Sequence, residues 1–183
     1  SGVAKKPIDD LESYRRDLSA RLDPTASFLQ EVFERITPEN KRVVFTEGEE
    51  EVSIRAALAF SNSGYGHPVL LGREVRIKQI IADMGLDGAS DLEIINAKIS
   101  DHNKDYIGFL YEKLKRRGVL QRDCQRMVNH DRNVFAACMV ANGHADALVT
   151  GMTRSFQASF EYVTQVIGPK KGREFVTTSM LVS

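Results

Sequence analysis

This sequence lacks net charge, because its 183 residues carry 25 basic and 25 acidic side chains. Such a balance creates no uniform field to attract a polyanion, so neither nucleic acid nor an anionic membrane is expected as a partner. Long apolar runs are also missing, since no stretch approaches the roughly 18 residues of a membrane span. The N-terminus has no charged-then-apolar signal pattern. These absences predict a soluble, cytoplasmic protein.

Cysteine and histidine are scarce and scattered. Cys124 and Cys138 lack the spacing of metal ligands, and we expect them to be reduced thiols. None of the four histidines forms an H-E-x-x-H pattern, and the sequence contains neither a Walker loop nor a G-x-G-x-x-G turn. The residues therefore predict no metal site and no nicotinamide or nucleoside triphosphate site in this chain.

Residues 1–40 have the helical spacing of apolar side chains expected of an arm that precedes a domain. One helix is indicated by Leu11, Leu18 and Leu22, and a second by the apolar residues between Phe28 and Ile36. Asp23 and Pro24 lie between the two, where they suit an N-cap and a first helical turn. We predict a helical arm or linker over residues 1–40.

From Lys41 onward, short apolar runs alternate with longer periodic segments, the pattern of parallel strands joined by crossover helices. The residues predict an α/β domain over 41–183, with a parallel sheet in a three-layer α/β/α arrangement. The five predicted strands are Val43 to Thr46, Val69 to Leu71, Leu92 to Ile95, Ala147 to Thr150, and Phe175 to Val182. Since no helix follows to cover the last strand, we expect the domain to be incomplete.

Two segments follow predicted strands in the manner of ligand-binding loops. Thr46 to Glu49 follows the first strand, and the better candidate follows the fourth, where glycine, hydroxyl groups and a guanidinium suit phosphate or carboxylate. The candidate ligand-binding residues are Thr150, Gly151, Thr153, Arg154 and Ser155. An equally weighted alternative is that Ser155 caps the next helix while Arg154 faces water.

Three further charged or titratable groups have simpler interpretations. The acidic run Glu47 to Glu51 is expected to face water at the positive end of a helix dipole rather than to bind a metal. The basic run Lys113 to Arg117 is expected to be a solvated helix end. His144 is expected to be an ordinary turn residue.

Several motifs, in their order along the chain, carry a resemblance to a known family. KRVVFTEGEEEVSIRAALAFSNSGYGHPVLLGRE, then RRGVLQRDCQRMV, then NVFAACMVANGHADALVTGMTRSF resemble the phosphate acetyltransferases and butyryltransferases from about Lys41 to the end. The opening SGVAKKPIDDLESY is similar to the segment that leads into the phosphotransacetylase-like tail of large bacterial malic enzymes. The resemblance implies a phosphotransacetylase or isocitrate-dehydrogenase-like fold in a C-terminal portion of such an enzyme.

The same resemblance implies a function. In the parent enzyme, NADP and a divalent metal are expected in a separate dehydrogenase domain, with no cofactor in this chain. The tail is expected to support a homo-oligomer and to respond to acetyl-CoA or a related acyl-CoA, without catalysing a reaction.

The alternative is a phosphate acetyltransferase fragment that moves an acyl group between CoA and phosphate. Ser155 matches a family serine, but Phe156 replaces the adjacent threonine and Glu161 stands where an arginine is expected. A carboxylate there would repel phosphate, and the remaining catalytic residues of the family are expected beyond residue 183.

Overall fold

The computed structural model describes residues 10, 14–15, 18, 29, 32–86, 88–169, 171–172 and 174. The chain divides into two units, one formed by Ser1–Glu39 with Val176–Ser183 and the other by Asn40–Phe175. In the first unit, residues 32–36 are helical and lead into a 3-10 turn at Thr37–Glu39, where the Thr37 hydroxyl donates to the Phe33 carbonyl at 2.8 Å. Most of the predicted arm, and the predicted strand Phe175 to Val182, lie outside the described residues.

The second unit contains a parallel sheet of four described strands in the order β3-β2-β1-β4. The register pairs Phe45 with Leu70 on one side and with Val149 on the other. The strands are β1 Lys41–Phe45, β2 Gly66–Leu71, β3 Glu93–Ile95 and β4 Ala147–Val149. The first four predicted strands are therefore confirmed, with boundaries that differ by at most three residues.

Six described helices connect or cover these strands. Gly85 ends α2 in the left-handed conformation and Gly118 follows a 3-10 turn in that same conformation, as expected where a helix must stop and the chain must turn. The helices are α1 Glu51–Asn62, α2 Glu74–Met84, α3 Asn103–Leu114, α4 Gln121–His130, α5 Arg132–Ala141 and α6 Phe156–Val166.

The core forms two layers, one on each face of the sheet. Adjacent residues of β1 face opposite sides: Phe45 packs with Ile54 of α1 and Ile77 of α2, whereas Val44 packs with the helices α3 to α6. The second layer is the larger, and its members include the fully buried Tyr106 and Phe135. A sheet with helices on both faces is the predicted three-layer α/β/α fold.

The order of the strands locates a crevice. From β1 the chain proceeds outward through β2 to β3, and it then returns to place β4 on the opposite side of β1. In open parallel sheets, ligands bind beyond the carboxyl ends of the strands where the order reverses in this way. Here that point lies between the loops that follow β1 and β4.

Candidate functional site

Glu47 joins the two candidate loops at the switch point between β1 and β4. One carboxylate oxygen, Oε2, accepts the Met152 backbone N–H at 2.8 Å. The other, Oε1, accepts the Thr153 backbone N–H at 2.6 Å and the Thr153 hydroxyl at 2.5 Å. The loop after β4 is therefore wrapped around a carboxylate supplied by the loop after β1.

This carboxylate is buried, with 7% of Glu47 exposed. Burial alone would raise its pKa, but the hydrogen bonds from the Thr153 side chain and from the backbone of Met152, Thr153 and Gly151 outweigh burial and lower the pKa below its ordinary value. Glu47 is thus a stable anion at neutral pH. The prediction that the acidic run faces water is wrong for Glu47 and Glu49, although Glu50 and Glu51 are exposed.

Two threonine hydroxyl groups form hydrogen bonds next to this contact, one after β1 and one after β4. The Thr46 hydroxyl donates to the Val149 carbonyl at 3.2 Å, extending the pairing of β1 with β4. The Thr150 hydroxyl donates to the Asn133 side-chain carbonyl at 2.7 Å. Thr150 therefore ties the candidate loop to the first turn of α5.

Arg154 is half-exposed and belongs to the loop that follows β4. Its Nη1 donates to Asp131 Oδ2 at 2.6 Å, and its guanidinium stands 5.4 Å from the centre of the Tyr162 ring. The hydrogen bond to Asp131 raises the pKa of Arg154 further above its ordinary value. Asp131 also caps α5 by accepting the backbone N–H groups of Asn133 and Val134, so its position is defined.

Gly151 and Ser155 shape the loop itself. Gly151 has a φ of +110°, a conformation that L side chains rarely adopt, while the space around it is open. Glycine is therefore required here for its backbone conformation, and not because a larger side chain would clash with neighbouring atoms. Ser155 caps α6, with its hydroxyl accepting the Ala158 N–H at 3.4 Å, as the simpler interpretation anticipated.

An apolar cleft of about 350 Å³ runs beside this loop and α6. Its walls include Leu148, Val163 and the stacked rings of Phe156 and Phe160, whose centres are 5.5 Å apart. Ser159 also lines the cleft; it is 4% exposed, and its hydroxyl has no hydrogen-bond partner among the described residues. An apolar wall, together with a hydroxyl that the described residues leave unpaired, thus lies next to the loop that carries a guanidinium.

The other groups considered from sequence have structural partners. Lys113 donates to the Val166 carbonyl at the end of α6 at 2.5 Å, and Lys115 pairs with Glu112, so these two lysines of the basic run are not merely solvated. His144 lies in the predicted turn, and its Nδ1 is 2.6 Å from the Tyr106 hydroxyl. No cluster of three His, Cys, Asp or Glu side chains suited to a metal occurs among the residues that the structure describes. No helix within that same portion is long and apolar enough to cross a bilayer.

The candidate residues therefore fall into two groups: those that hold the loop in shape, and Arg154, which can contact a ligand. Thr150 and Thr153 use their hydroxyl groups to hold the loop, Gly151 supplies the turn, and Ser155 caps a helix, while Arg154 presents a half-exposed guanidinium. Sequence reasoning missed Glu47 as the residue that organises the loop. No local pattern distinguishes it, because its partners lie 105 and 106 residues away in the chain.

Comparisons with known proteins agree with this architecture. The family profile described as phosphate acetyl/butaryl transferase matches residues 27–183. The NADP-dependent malic enzyme of Rhizobium meliloti is 45% identical over 181 residues, which are 98% of this chain and 24% of that protein. A probable NADP-dependent malic enzyme of Rickettsia prowazekii is 42% identical over 188 residues, covering 100% of this chain and 24% of that protein.

The fold similarity extends to solved structures. The EutD phosphotransacetylase from Staphylococcus aureus superimposes with a TM-score of 0.73 at 27% identity, covering 80% of this chain and 44% of that one. The chain therefore spans about a quarter of the length of these two curated relatives and under half of this structural neighbour.

Proposed function

The chain belongs to the phosphate acetyl/butaryl transferase family, and we propose that it forms the phosphotransacetylase-like region of an NADP-dependent malic enzyme. In the whole protein, a separate dehydrogenase domain decarboxylates malate oxidatively to pyruvate with NADP and a divalent metal. This region performs no chemistry of its own. It binds acetyl-CoA or a related acyl-CoA as an effector and helps to hold a homo-oligomer together.

One observation carries the ligand assignment: the loop at the switch point of the sheet borders an apolar cleft and also carries the half-exposed guanidinium of Arg154, which lies against Asp131 and Tyr162. An acyl-CoA has the matching chemistry, with phosphates at one end and a long arm with an acyl thioester at the other. A guanidinium suits phosphate recognition and has five N–H donors, of which Arg154 uses one Nη1 donor for Asp131. The buried Ser159 hydroxyl suits a polar atom of the arm within the apolar cleft.

Regulation requires that the effector bind two conformations with different affinity. The loop that follows β4 is held by Glu47 through three hydrogen bonds, and these bonds connect it to the turn between β1 and α1. A ligand that moves Met152 or Thr153 must therefore alter or break contacts to Glu47, in the turn that follows β1. That arrangement supports the proposal that occupancy of the loop is transmitted to the rest of the domain.

Calorimetry with acetyl-CoA on the full-length protein tests the effector site. We expect Arg154→Ala to weaken binding by about tenfold or more, and Arg154→Lys to weaken it less, because a charge-assisted hydrogen bond to phosphate is lost in the first and partly kept in the second. Arg122→Ala, in the exposed first turn of α4, is the matched control and should leave binding unchanged. Unchanged binding in Arg154→Ala would remove the assigned site, and no binding to the unaltered protein would end the sensor proposal.

The oligomerising role has a separate test. Light scattering on the full-length malic enzyme, compared with a version that lacks this region, should show a smaller assembly for the shortened protein. An intact assembly would contradict the scaffold role and would leave the acetyl-CoA measurement unaffected.

A second candidate function is phosphate acyl transfer, which the family match and the phosphotransacetylase fold favour. Glu161 argues against it, because this exposed carboxylate on α6 stands where the resemblance places an arginine. The full-length protein should form no acetyl phosphate from acetyl-CoA and inorganic phosphate. Formation of acetyl phosphate at a rate above the uncatalysed background would favour the transferase instead.

A further inference from the structure

A second cavity, of about 280 Å³, lies at the ends of β2 and β3 and is built around Glu49. The Glu49 side chain is 6% exposed and forms ion pairs with three guanidinium groups. The distances from its oxygens are 3.1 Å to Arg73 Nη2, 3.3 Å to Arg76 Nε and 3.2 Å to Arg132 Nη2. Its acceptor Oε1 also takes the Arg73 backbone N–H at 2.9 Å.

These arginines exceed what one carboxylate needs. Three guanidinium groups carry fifteen N–H donors in total, whereas a carboxylate offers about four acceptor positions. The side chains of Arg73 and Arg76 are each 59% exposed, and that of Arg132 is 40% exposed. Much of each guanidinium-bearing side chain therefore remains accessible beyond its contact with Glu49. A purely structural role for the buried acid would be met by one or two of them.

The lining of the cavity carries further positive charge. Lys98 follows β3 and lines the same cavity, and it forms no ion pair within the described parts of the chain. The lining contains three cations, Arg73, Lys98 and Arg132, and one anion, Glu49. Its net charge is therefore +2 when His130 is neutral. Asn129 adds a buried side-chain oxygen that lacks a partner among the described residues. An acceptor in that position suits the one O–H that inorganic phosphate retains as a dianion, or a hydroxyl on the organic part of a monoester.

The backbone favours the same kind of ligand. The cavity includes Gly72, which precedes the N-terminus of the eleven-residue helix α2, where the helix dipole favours negative charge. A Cβ atom at Gly72 would lie 2.8 Å from Glu49 Cγ, so the glycine lets the acid approach this helix start closely. Glu49 then holds Arg73 and Arg132 in place before a ligand arrives.

We propose that this cavity is a binding site for a phosphate dianion, held by Arg73, Arg132 and Lys98 and organised by Glu49. The site is separate from the loop at Gly151 to Ser155, because its lining comes from the turn after β1, the ends of β2, β3 and α4, and the start of α5. The ligand is either inorganic phosphate or the phosphate group of a monoester, for which the cavity has space beyond the phosphate itself.

Binding of inorganic phosphate and of phenyl phosphate to the full chain tests this proposal, measured by calorimetry at an ionic strength kept constant with sodium chloride. Lys98→Gln is the principal variant, since Lys98 has no ion pair in the described residues whose loss would disturb the fold. We expect Lys98→Gln and Arg132→Gln each to weaken binding by about tenfold. Lys104→Gln, an exposed lysine on α3, is the matched control and should bind as the unaltered chain does.

Each of the following results either supports the phosphate site or contradicts it. Tighter binding of phenyl phosphate than of inorganic phosphate, lost in the two variants, supports the site and identifies a monoester as its ligand. Equal binding of both probes, lost in the same variants, supports the site for free phosphate. Binding that persists in both variants, or no binding of either probe to the unaltered chain, overturns the proposal and leaves the arginines as a structural network.

Discussion

Replacing Glu49 with glutamine removes a buried negative charge while it keeps the shape of the side chain. In the native protein, burial opposes ionisation of Glu49, but the hydrogen bonds from Arg73 and the charges of Arg132 and Arg73 lower its pKa from 4.5 to about 2. By linkage, such a pKa difference between the unfolded and folded chain stabilises the folded state by about 3 kcal/mol at pH 7. We expect Glu49→Gln to lower the free energy of unfolding by an amount of that order.

The sign of the pH dependence follows from the lowered pKa. The stabilisation by Glu49 is fully present above pH 4.5 and is lost as the pH falls toward 2, because the unfolded chain then binds a proton that the folded chain does not. At pH 3.5 the same linkage leaves about 2 kcal/mol of the original difference. The gap between the native chain and Glu49→Gln should therefore narrow as the solution is acidified.

Urea unfolding followed by circular dichroism at pH 7, 5 and 3.5 measures this gap. Glu51→Gln is the matched control, because Glu51 is exposed in the first turn of α1, and it should change the free energy of unfolding by no more than about 0.5 kcal/mol. Glu47 titrates in the same direction in both the native chain and the variant, so its effect cancels from the comparison. A Glu49→Gln chain as stable as the native one at pH 7, or a gap that does not narrow with acid, would refute the reasoning.

Three other predictions concern the loop, the tight turn and the thiols. Thr153→Ala should cost about 1 to 2 kcal/mol in urea unfolding, with Thr153→Ser restoring most of it, because the hydroxyl donates to the Glu47 carboxylate; equal losses in both would show that the hydroxyl is not responsible. Gly48→Ala should be more destabilising than Gly118→Ala, since a Cβ at Gly48 would lie 2.9 Å from Leu70 Cβ, whereas at Gly118 only the φ of +81° opposes a side chain; a larger loss at Gly118 would contradict this. Burial raises the pKa of Cys138 to about 12 and also raises that of Cys124, so Ellman's reagent at pH 8 should label neither quickly in the folded chain and both in urea; rapid labelling of the folded chain would contradict their burial.

Local sequence patterns were sufficient to predict the described strands of the sheet. The apolar run from Val43 is recognisable as a strand because buried parallel strands are continuously apolar. The segment before Thr150 is also continuously apolar, although Ala147 and Val149 are exposed in the described structure. Gly85 and Gly118 mark ends that sequence reasoning also identified, because only glycine adopts the left-handed conformation without cost. The resemblance to the phosphate acyltransferase family and to malic enzymes, based on ordered motifs, is confirmed by the comparisons.

The candidate site was less accessible from sequence, because its decisive contacts are long-range. A carboxylate beside a helix start is usually a solvated dipole partner, and Glu50 and Glu51 fit that expectation. Glu47 and Glu49 do not, since their partners come from the loops after β4 and β2 and from the start of α5, and only the folded domain brings them together. The assignment of Thr150, Gly151, Thr153, Arg154 and Ser155 to a ligand stays a prediction.

Two pairs of residues connect the crevice with the arginine cavity. On either side of Gly48, Glu47 holds the loop after β4 while Glu49 holds the arginines. At the start of α5, Asp131 accepts from Arg154 while its neighbour Arg132 pairs with Glu49. A displacement of the β1 turn or of the α5 start therefore changes both sites together. If both proposed sites bind their ligands, these two short segments are the contacts that the sites share, and any coupling between the sites would act through them.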